Sequence, residues 1–353
     1  MPSAIIRADA SHSIGLGHMV RSTALAARLL ETGWNCRLLT SSESVALFPA
    51  RIPAGLEVVT IPEDDLSNPE RLGTAAADKY DVAIIDHYSL SRDYESGARS
   101  WADHIMVIDD LADRPHDCDV LLDQNLGRRA DDYDGLVAPS CRLLIGPDFS
   151  LLGEQFSRLR VASLARLEQV RKPERVMVNF GGSDPHNATL LVLEGLAKIE
   201  NGIMLDIVLG SGAGNADDVE AMARRLGQPC TVHRSVEDMA DLLARCDLVV
   251  GACGSSAWER CCLGVPSVVV VTGDDQWTGA RGLSDADAII LLGALDEVDG
   301  LVVAAAVAAL HGDPERWRAL GANASRLVDG AGRSRVEQTL RELVDGDREA
   351  AMA

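Results

Sequence analysis

The sequence predicts an α/β protein of two Rossmann-like domains facing a cleft, and three observations predict it. Short apolar runs alternate with helical patterns along the whole chain. Those runs show little polar alternation, as parallel strands do when helices cover both of their faces. The pattern also restarts near residue 175, after a charged, proline-marked stretch, so one βα series follows another. At 353 residues the chain holds two cores of ordinary size. With 47% apolar but only 4% aromatic residues, those cores must be built from alanine, leucine and valine.

In the first half, strands are expected at Ala4–Arg7, Cys36–Thr40, Val58–Ile61, Val82–Asp86, Ile105–Asp109, Val120–Asp123 and Leu143–Ile145. The clearest helix is Met19–Thr32. "SRLRVASLARLEQVRKPER" (Ser157–Arg175) reads as a helix running into an inter-domain connection. Strand Arg175–Phe180, turn "GGSDPHN", helix Ala188–Ala197 and strand Leu205–Leu209 begin the second series. Strands Cys230–His233, Leu248–Gly251 and Ser267–Val271 continue it. The expected division is 1–160 for an N-terminal domain, 173–330 for a C-terminal domain and 331–353 for a tail. Pattern alone leaves open whether the helix-rich segment after Pro314 closes the second domain or crosses back to the first.

A net charge of −21 excludes nucleic acid and an anionic membrane surface as partners, because nothing here neutralises a row of phosphates. A small anion remains compatible, since amides at helix N-termini hold phosphate without lysine. No basic segment followed by an apolar core opens the chain, and "LVVAAAVAAL" (Leu301–Leu310) is about half a membrane span. Eight cysteines without C-x-x-C spacing read as reduced thiols of a cytoplasmic protein, with no zinc site.

Four segments are candidates for chemistry. In "IIRADASHSIGLGHMVRSTALAARLL" the turn "GLGH" lacks the third glycine of a dinucleotide fingerprint. The second strand also ends in "TSS" rather than an acid, so no nicotinamide cofactor is expected. His18 stands where a helix begins, at the carboxyl end of the first strand. It is either a solvated helix start or a base kept neutral by the helix dipole. "IIDHYS" ends another strand and offers Asp86, His87 and Tyr88, unless Asp86 or Ser89 merely caps a helix. The aspartates of "IDDLADRPHDCDVLLDQN", with His116, are expected to cap turns rather than hold a metal. In "NFGGSDPHN", Gly181 and Gly182 permit close backbone approach, and Ser183 with the following amides suits phosphate. "CDLVVGACGSSAWERCCLGVPSVVV" offers Ser255 and Ser256 to a diphosphate and Glu259 to a ribose. Ser256 and Glu259 equally match a capping box, and spacing leaves both readings open.

Together these segments resemble the nucleotide-sugar hydrolase family of pseudaminic acid biosynthesis, and through it the inverting GT-B glycosyltransferases. The likeness runs from Ile5 to Gln276 and adds "DYDGLVAPSCRLLIGPDFSLL" to the motifs above. It implies a GT-B fold, with the sugar and the catalytic groups on the N-terminal domain and UDP on the C-terminal one. It implies His18 as catalytic base and substrate contacts by Gly17, Arg21, His87 and Tyr88, the last in the sugar pocket. It further implies Gly182, Ser183, Ser255 and Ser256 at the diphosphate and Glu259 at the ribose. "TVHRSVEDMADLL", with His233 and Val236, would lie around the uracil, and Asp275 and Gln276 would line the active site. Three positions depart from the family pattern: Ser89 for a usual glycine, Gly153 for a basic residue, and Asp275 for asparagine.

The implied reaction is metal-independent, inverting hydrolysis of a UDP-linked diacetamido-trideoxy hexose to UDP and free sugar. It would be a step toward pseudaminic (nonulosonic) acid for surface or flagellar glycans. No cofactor is implied. Other pathway enzymes are compatible partners, and the oligomeric state is left open. A UDP-sugar-dependent GT-B glycosyltransferase and a non-catalytic nucleotide-sugar sensor are the alternatives.

Overall fold

A computed structural model describes the chain except residues 12–14, 49–51, 63–64, 77–78, 200–201, 211, 235 and 353. It divides into two compact units, residues 1–153 with 331–353, and residues 154–330.

The first unit runs β1 (Ser3–Ala8), α1 (Gly17–Glu31), β2 (Asn35–Thr40), α2 (Ser42–Leu47), β3 (Glu57–Thr60), α3 (Pro69–Ala76) and β4 (Tyr80–Asp86). It continues through α4 (Arg92–Ala98), β5 (Ala102–Ile108), β6 (Val120–Asp123) and β7 (Arg142–Ile145). The sheet is parallel in the order β3-β2-β1-β4-β5-β6-β7. Along β1, Ala4, Ile6 and Ala8 enter one core layer while Ile5 enters the layer on the opposite face. Both faces are therefore apolar, which is why the strand shows no alternation. Helix α1 buries Met19, Ser22, Leu25, Ala26 and Leu29, a stripe at helical spacing. It stops at Gly33, whose φ of 85° costs nothing without a Cβ.

The second unit runs α5 (Glu154–Gln169), β8 (Arg175–Asn179), α6 (Ala188–Leu196), β9 (Met204–Leu209), α7 (Ala216–Ala223), β10 (Cys230–Arg234) and α8 (Met239–Ala244). It continues through β11 (Leu248–Gly251), α9 (Ser256–Leu263), β12 (Ser267–Val271), α10 (Trp277–Asp285), β13 (Ile289–Ala294), α11 (Gly300–Gly312) and α12 (Pro314–Leu327). Its parallel sheet has the order β10-β9-β8-β11-β12-β13. Strand β13 was not among the sequence expectations. It carries no preceding glycine or proline, because Asp287 makes the turn in a left-handed conformation at φ 55°.

The expected division needs two corrections. Helix α5 belongs to the second unit: Ser163 Oγ donates to the Leu263 carbonyl at 2.8 Å, and Arg166 holds Asp247 at 2.6 Å and the Ala244 carbonyl at 2.8 Å. Residues 331–353 are no separate tail. They form α13 (Gly332–Met352), which packs on α1 in the first unit. Glu337 accepts there from Thr32 Oγ1 at 3.0 Å and Trp34 Nε1 at 3.2 Å, and Arg348 reaches Asp81 at 3.0 Å. Helix α12, by contrast, closes the second unit.

All eight cysteines are free thiols, six of them buried. No described helix is long and apolar enough to cross a membrane.

Candidate functional site

In the first unit the strand order reverses between β1 and β4, so the loops that follow them diverge. Open α/β sheets place ligands outside such a point. Asp9, His18, Asp86, His87 and Tyr88 all stand at this edge. His18 is the second residue of α1; its ring lies edge-on to Tyr88, with centroids 4.4 Å apart, and its Nε2 is 3.9 Å from Asp86 Oδ1. That distance exceeds a hydrogen bond, so the carboxylate acts on the imidazole through charge.

Asp86 is not the cap of α4, whose N-cap is Ser91. Arg21 grips it with Nε at 2.8 Å and Nη2 at 2.6 Å, and Ser22 Oγ donates to it at 2.9 Å. Arg21 also reaches Asp110 at 2.9 Å and is almost wholly buried. Burial disfavours the Arg21 charge, yet Asp110 and Asp86 hold its pKa well above the ordinary range. Burial likewise pushes Asp86 up, but Arg21 and then His18 outweigh it and leave the carboxyl below its usual pKa. Arg21, expected at the substrate, is thus engaged by two carboxylates.

His87 has a defined tautomer. The Ser89 amide donates to its Nδ1 at 3.1 Å, so the ring proton sits on Nε2, 3.9 Å from Asp9 Oδ2. Burial, then the charge of Arg7, pull its pKa down to about 4. His87 is therefore a neutral hydrogen-bond donor at neutral pH. Asp9 is itself held by Arg7 at 2.6 Å, Thr40 Oγ1 at 3.1 Å and the Ser41 amide at 3.1 Å.

The aspartate-rich stretch was expected to cap turns, and it does so only in part. Asp109 accepts from the Ala112 amide at 2.7 Å, but also from Arg114 at 2.9 Å. Asp123 takes Arg128 at 2.7 Å and Asp117 takes Arg99 at 2.7 Å. His116 Nδ1 pairs with buried Glu95 at 2.7 Å. Among the described residues no group of three His, Cys, Asp or Glu is arranged to hold a metal ion.

In the second unit the order reverses between β8 and β11. Gly181 (φ 87°) turns the chain after β8, and a Cβ on Gly210 would run into the Gly182 carbonyl, so the two backbones touch there. The helix starts where the sequence places it, five residues beyond Ser183. Helix α6 begins at Ala188, and the carboxylate of Asp184 takes the Ala188 amide at 2.8 Å and the Thr189 amide at 3.1 Å. Those amides are thus already capped. Asn187 has no side-chain cap bond and sits at φ 56°.

Helix α9 is the other candidate N-terminus. Ser255 is its N-cap without a side-chain cap bond, and Ser256 Oγ accepts from Arg260 Nη1 at 3.1 Å. The N-cap position of the expected Ser256–Glu259 capping box is thus taken by Ser255. Glu259 stands on the first turn of the helix. Gln276 joins two loops: its Oε1 accepts from the Cys253 amide at 3.2 Å and the Thr272 amide at 3.1 Å, while Nε2 donates to Thr272 Oγ1 at 3.0 Å. Asp275 folds back so that a Cβ on Gly273 would come within 2.6 Å of its Oδ1. His233 stands apart on the edge strand β10, with Nε2 2.7 Å from Asp206. Val236 follows residue 235, which lies outside the described residues, as do residues 12–14 of the opening turn. Sequence reading missed the roles of Arg7, Asp110 and Arg260, since the burial of a charged side chain is set by packing and carries no local signal.

Two doubly wound parallel sheets, each with several candidate residues at the point of strand reversal, define the two-domain α/β architecture of GT-B glycosyltransferases. The structure superposes on MurG of Acinetobacter baumannii with a TM-score of 0.68 at 15% identity, covering 97% of this chain and 100% of that one. In sequence, the chain is similar to the UDP-2,4-diacetamido-2,4,6-trideoxy-beta-L-altropyranose hydrolase of Campylobacter jejuni. The two are 27% identical over 224 residues, 62% of this chain and 74% of the relative. An uncharacterised protein of Methanocaldococcus jannaschii is 24% identical over 274 residues, 76% of this chain but 55% of that protein, so the chain spans about half of that relative's length. No family model matches the chain.

Proposed function

We propose that this protein hydrolyses a UDP-linked diacetamido-trideoxy hexose with inversion, releasing UDP and the free sugar. The observation that carries the reading is the setting of His18: at the strand reversal, edge-on to Tyr88, and 3.9 Å from a carboxylate kept ionised by Arg21. Similarity to the Campylobacter hydrolase supports the choice of substrate. Water attacks the anomeric carbon opposite the diphosphate. The new carbon–oxygen bond forms as the bond to the diphosphate breaks, its electron pair leaves on UDP, and His18 takes the water proton. Such base catalysis is typically worth on the order of 10²–10⁴-fold. Asp86 stabilises the imidazolium that results, and Arg21 and Ser22 hold Asp86 in place. A diphosphate leaves as a weak base, so the leaving group needs preorganised stabilisation more than protonation.

Incubating the purified protein with the UDP-sugar, with no acceptor and in excess EDTA, tests this. UDP release, with NMR showing the free sugar of inverted anomeric configuration, is the expected result. Release only upon adding an acceptor would make it a transferase, no release in either case a sensor, and release restored only by a divalent cation a metal-dependent enzyme.

A further inference from the structure

Arg260 lies one turn into α9 and is 2% exposed. A long side chain on a helix leans back toward the N-terminus, and this one does. Its Nη2 donates to the Ala252 carbonyl at 2.7 Å, its Nη1 to Ser256 Oγ at 3.1 Å, and Nη1 lies 3.7 Å from where a Cβ on Gly251 would stand. The guanidinium therefore sits directly beneath the 252–255 turn.

The other buried arginines hold carboxylates: Arg7 with Asp9, Arg21 with Asp86 and Asp110, Arg333 with Glu31. Arg260 makes no ion pair of this kind among the described residues, and its Nε has no hydrogen-bond partner there. Burial opposes its charge and lowers its pKa, though a guanidinium stays protonated at neutral pH. Glu259 offsets part of that cost through charge, but a buried cation without an ion pair remains costly to a fold, and an anionic ligand beside it removes much of what is left. The turns at 180–187, 252–255 and 272–276 contain no lysine or arginine and do contain Asp184, Asp274 and Asp275. An anion bound at this edge would find no cation on those turns. The charge is below them.

We infer that Arg260 is a positioning residue for a diphosphate at the 252–256 turn, supplying positive potential from beneath it and acting through Ser256. The Ser256 oxygen accepts from the guanidinium, so its own proton is free to point outward and donate to a phosphate oxygen. The inference rests on the nucleotide-sugar reading.

Calorimetric affinities of UDP, UMP and uridine for wild type, Arg260→Met and Arg260→Lys test it. Arg260→Met should weaken UDP by at least about tenfold, UMP by less, and uridine by under about twofold, because the effect scales with ligand charge. Arg260→Lys keeps the charge and should recover most of the UDP loss. Equal weakening of all three ligands, or a lysine variant as poor as methionine, would show Arg260 to be only an anchor of the turn. Wild-type protein that binds none of the three would overturn the nucleotide-sugar reading itself, and the inference with it. Should the variants fail to fold, wild type alone decides. A buried cation is screened little, so the UDP-to-uridine affinity ratio should hold within about threefold between roughly 0.05 and 0.5 M salt. Collapse of that ratio would place the charge on the surface and refute the inference.

Discussion

His87 should make the protein less stable in mild acid, and the size of the effect follows from its surroundings. In the unfolded chain the imidazole titrates near its ordinary 6.5; in the folded protein burial and Arg7 hold it near about 4. The Ser89 amide at Nδ1 acts in the same direction, since it bonds only the neutral ring. A depressed folded pKa means that the unfolded chain binds the extra proton between these values. Stability from His87 is therefore complete above the unfolded pKa and is lost as pH falls toward the folded one. Between about pH 7.5 and about 4.5 the linkage gives a loss of about 2.5 kcal/mol. Other groups titrate nearby, notably Asp123, which burial and then Asp110 push up to about 6. Asp123 contributes with the opposite sign over the same window, so wild type alone is uninformative. The difference from His87→Asn isolates the histidine, because asparagine Oδ1 can still accept from the Ser89 amide. Urea denaturation at several pH values should show wild type losing about 2.5 kcal/mol more than the variant. Parallel curves would mean that His87 is not held neutral, and the tautomer argument would fall with it.

Two further outcomes concern the reaction. His18→Asn should abolish turnover while UDP affinity measured by calorimetry stays within about threefold of wild type, since a base acts on the transition state and adds little to ground-state binding; an affinity loss equal to the rate loss would make His18 a binding residue. Glu259→Ala should remove most of the discrimination between UDP and its 2′-deoxy analogue, about 5- to 100-fold in wild type if a buried polar partner is left unpaired, and unchanged discrimination would return Glu259 to a structural role.

Much of the scaffold was readable in the sequence because parallel strands covered on both faces are continuous apolar runs. Thus "SVVVV" marked β12 and "VAIID" marked β4. Strand β13 escaped because Asp287 makes its turn without a glycine or proline. The fate of residues 331–353 escaped because it depends on Glu337 meeting Thr32 and Trp34, some 300 positions away in sequence. At the site, residue type and strand-end position singled out His18, Asp86 and Tyr88. Their environment did not show: Asp86 reads equally well as a helix cap, and only the fold reveals Arg21 closing on it from the next turn of α1. "GGSDPHN" likewise hides part of its environment. A small polar turn before a helix looks like an anion cradle, yet here the chain's own Asp184 occupies the first amides of α6.

The surroundings of His18 and of Arg260 treat buried charge differently, and the proposed chemistry gives a reason. Around His18 every named cation meets a carboxylate: Arg21 meets two, Arg7 meets Asp9, Arg114 meets Asp109 and Arg128 meets Asp123. Such a saturated network fixes geometry while offering no net positive charge to bind an anionic substrate strongly in its ground state. A water-activating base needs that setting, with Asp86 held rigid and ready to stabilise the imidazolium as it forms. At the turn before α9 the opposite holds, because Arg260 has no carboxylate in ion-pair contact among the described residues. Glu259 acts on it through charge and offsets part of its field, and the rest is left to act on an anion that approaches. Under the proposed reaction, charge developing on a diphosphate held at this turn would meet potential already in place, with no reorganisation required there.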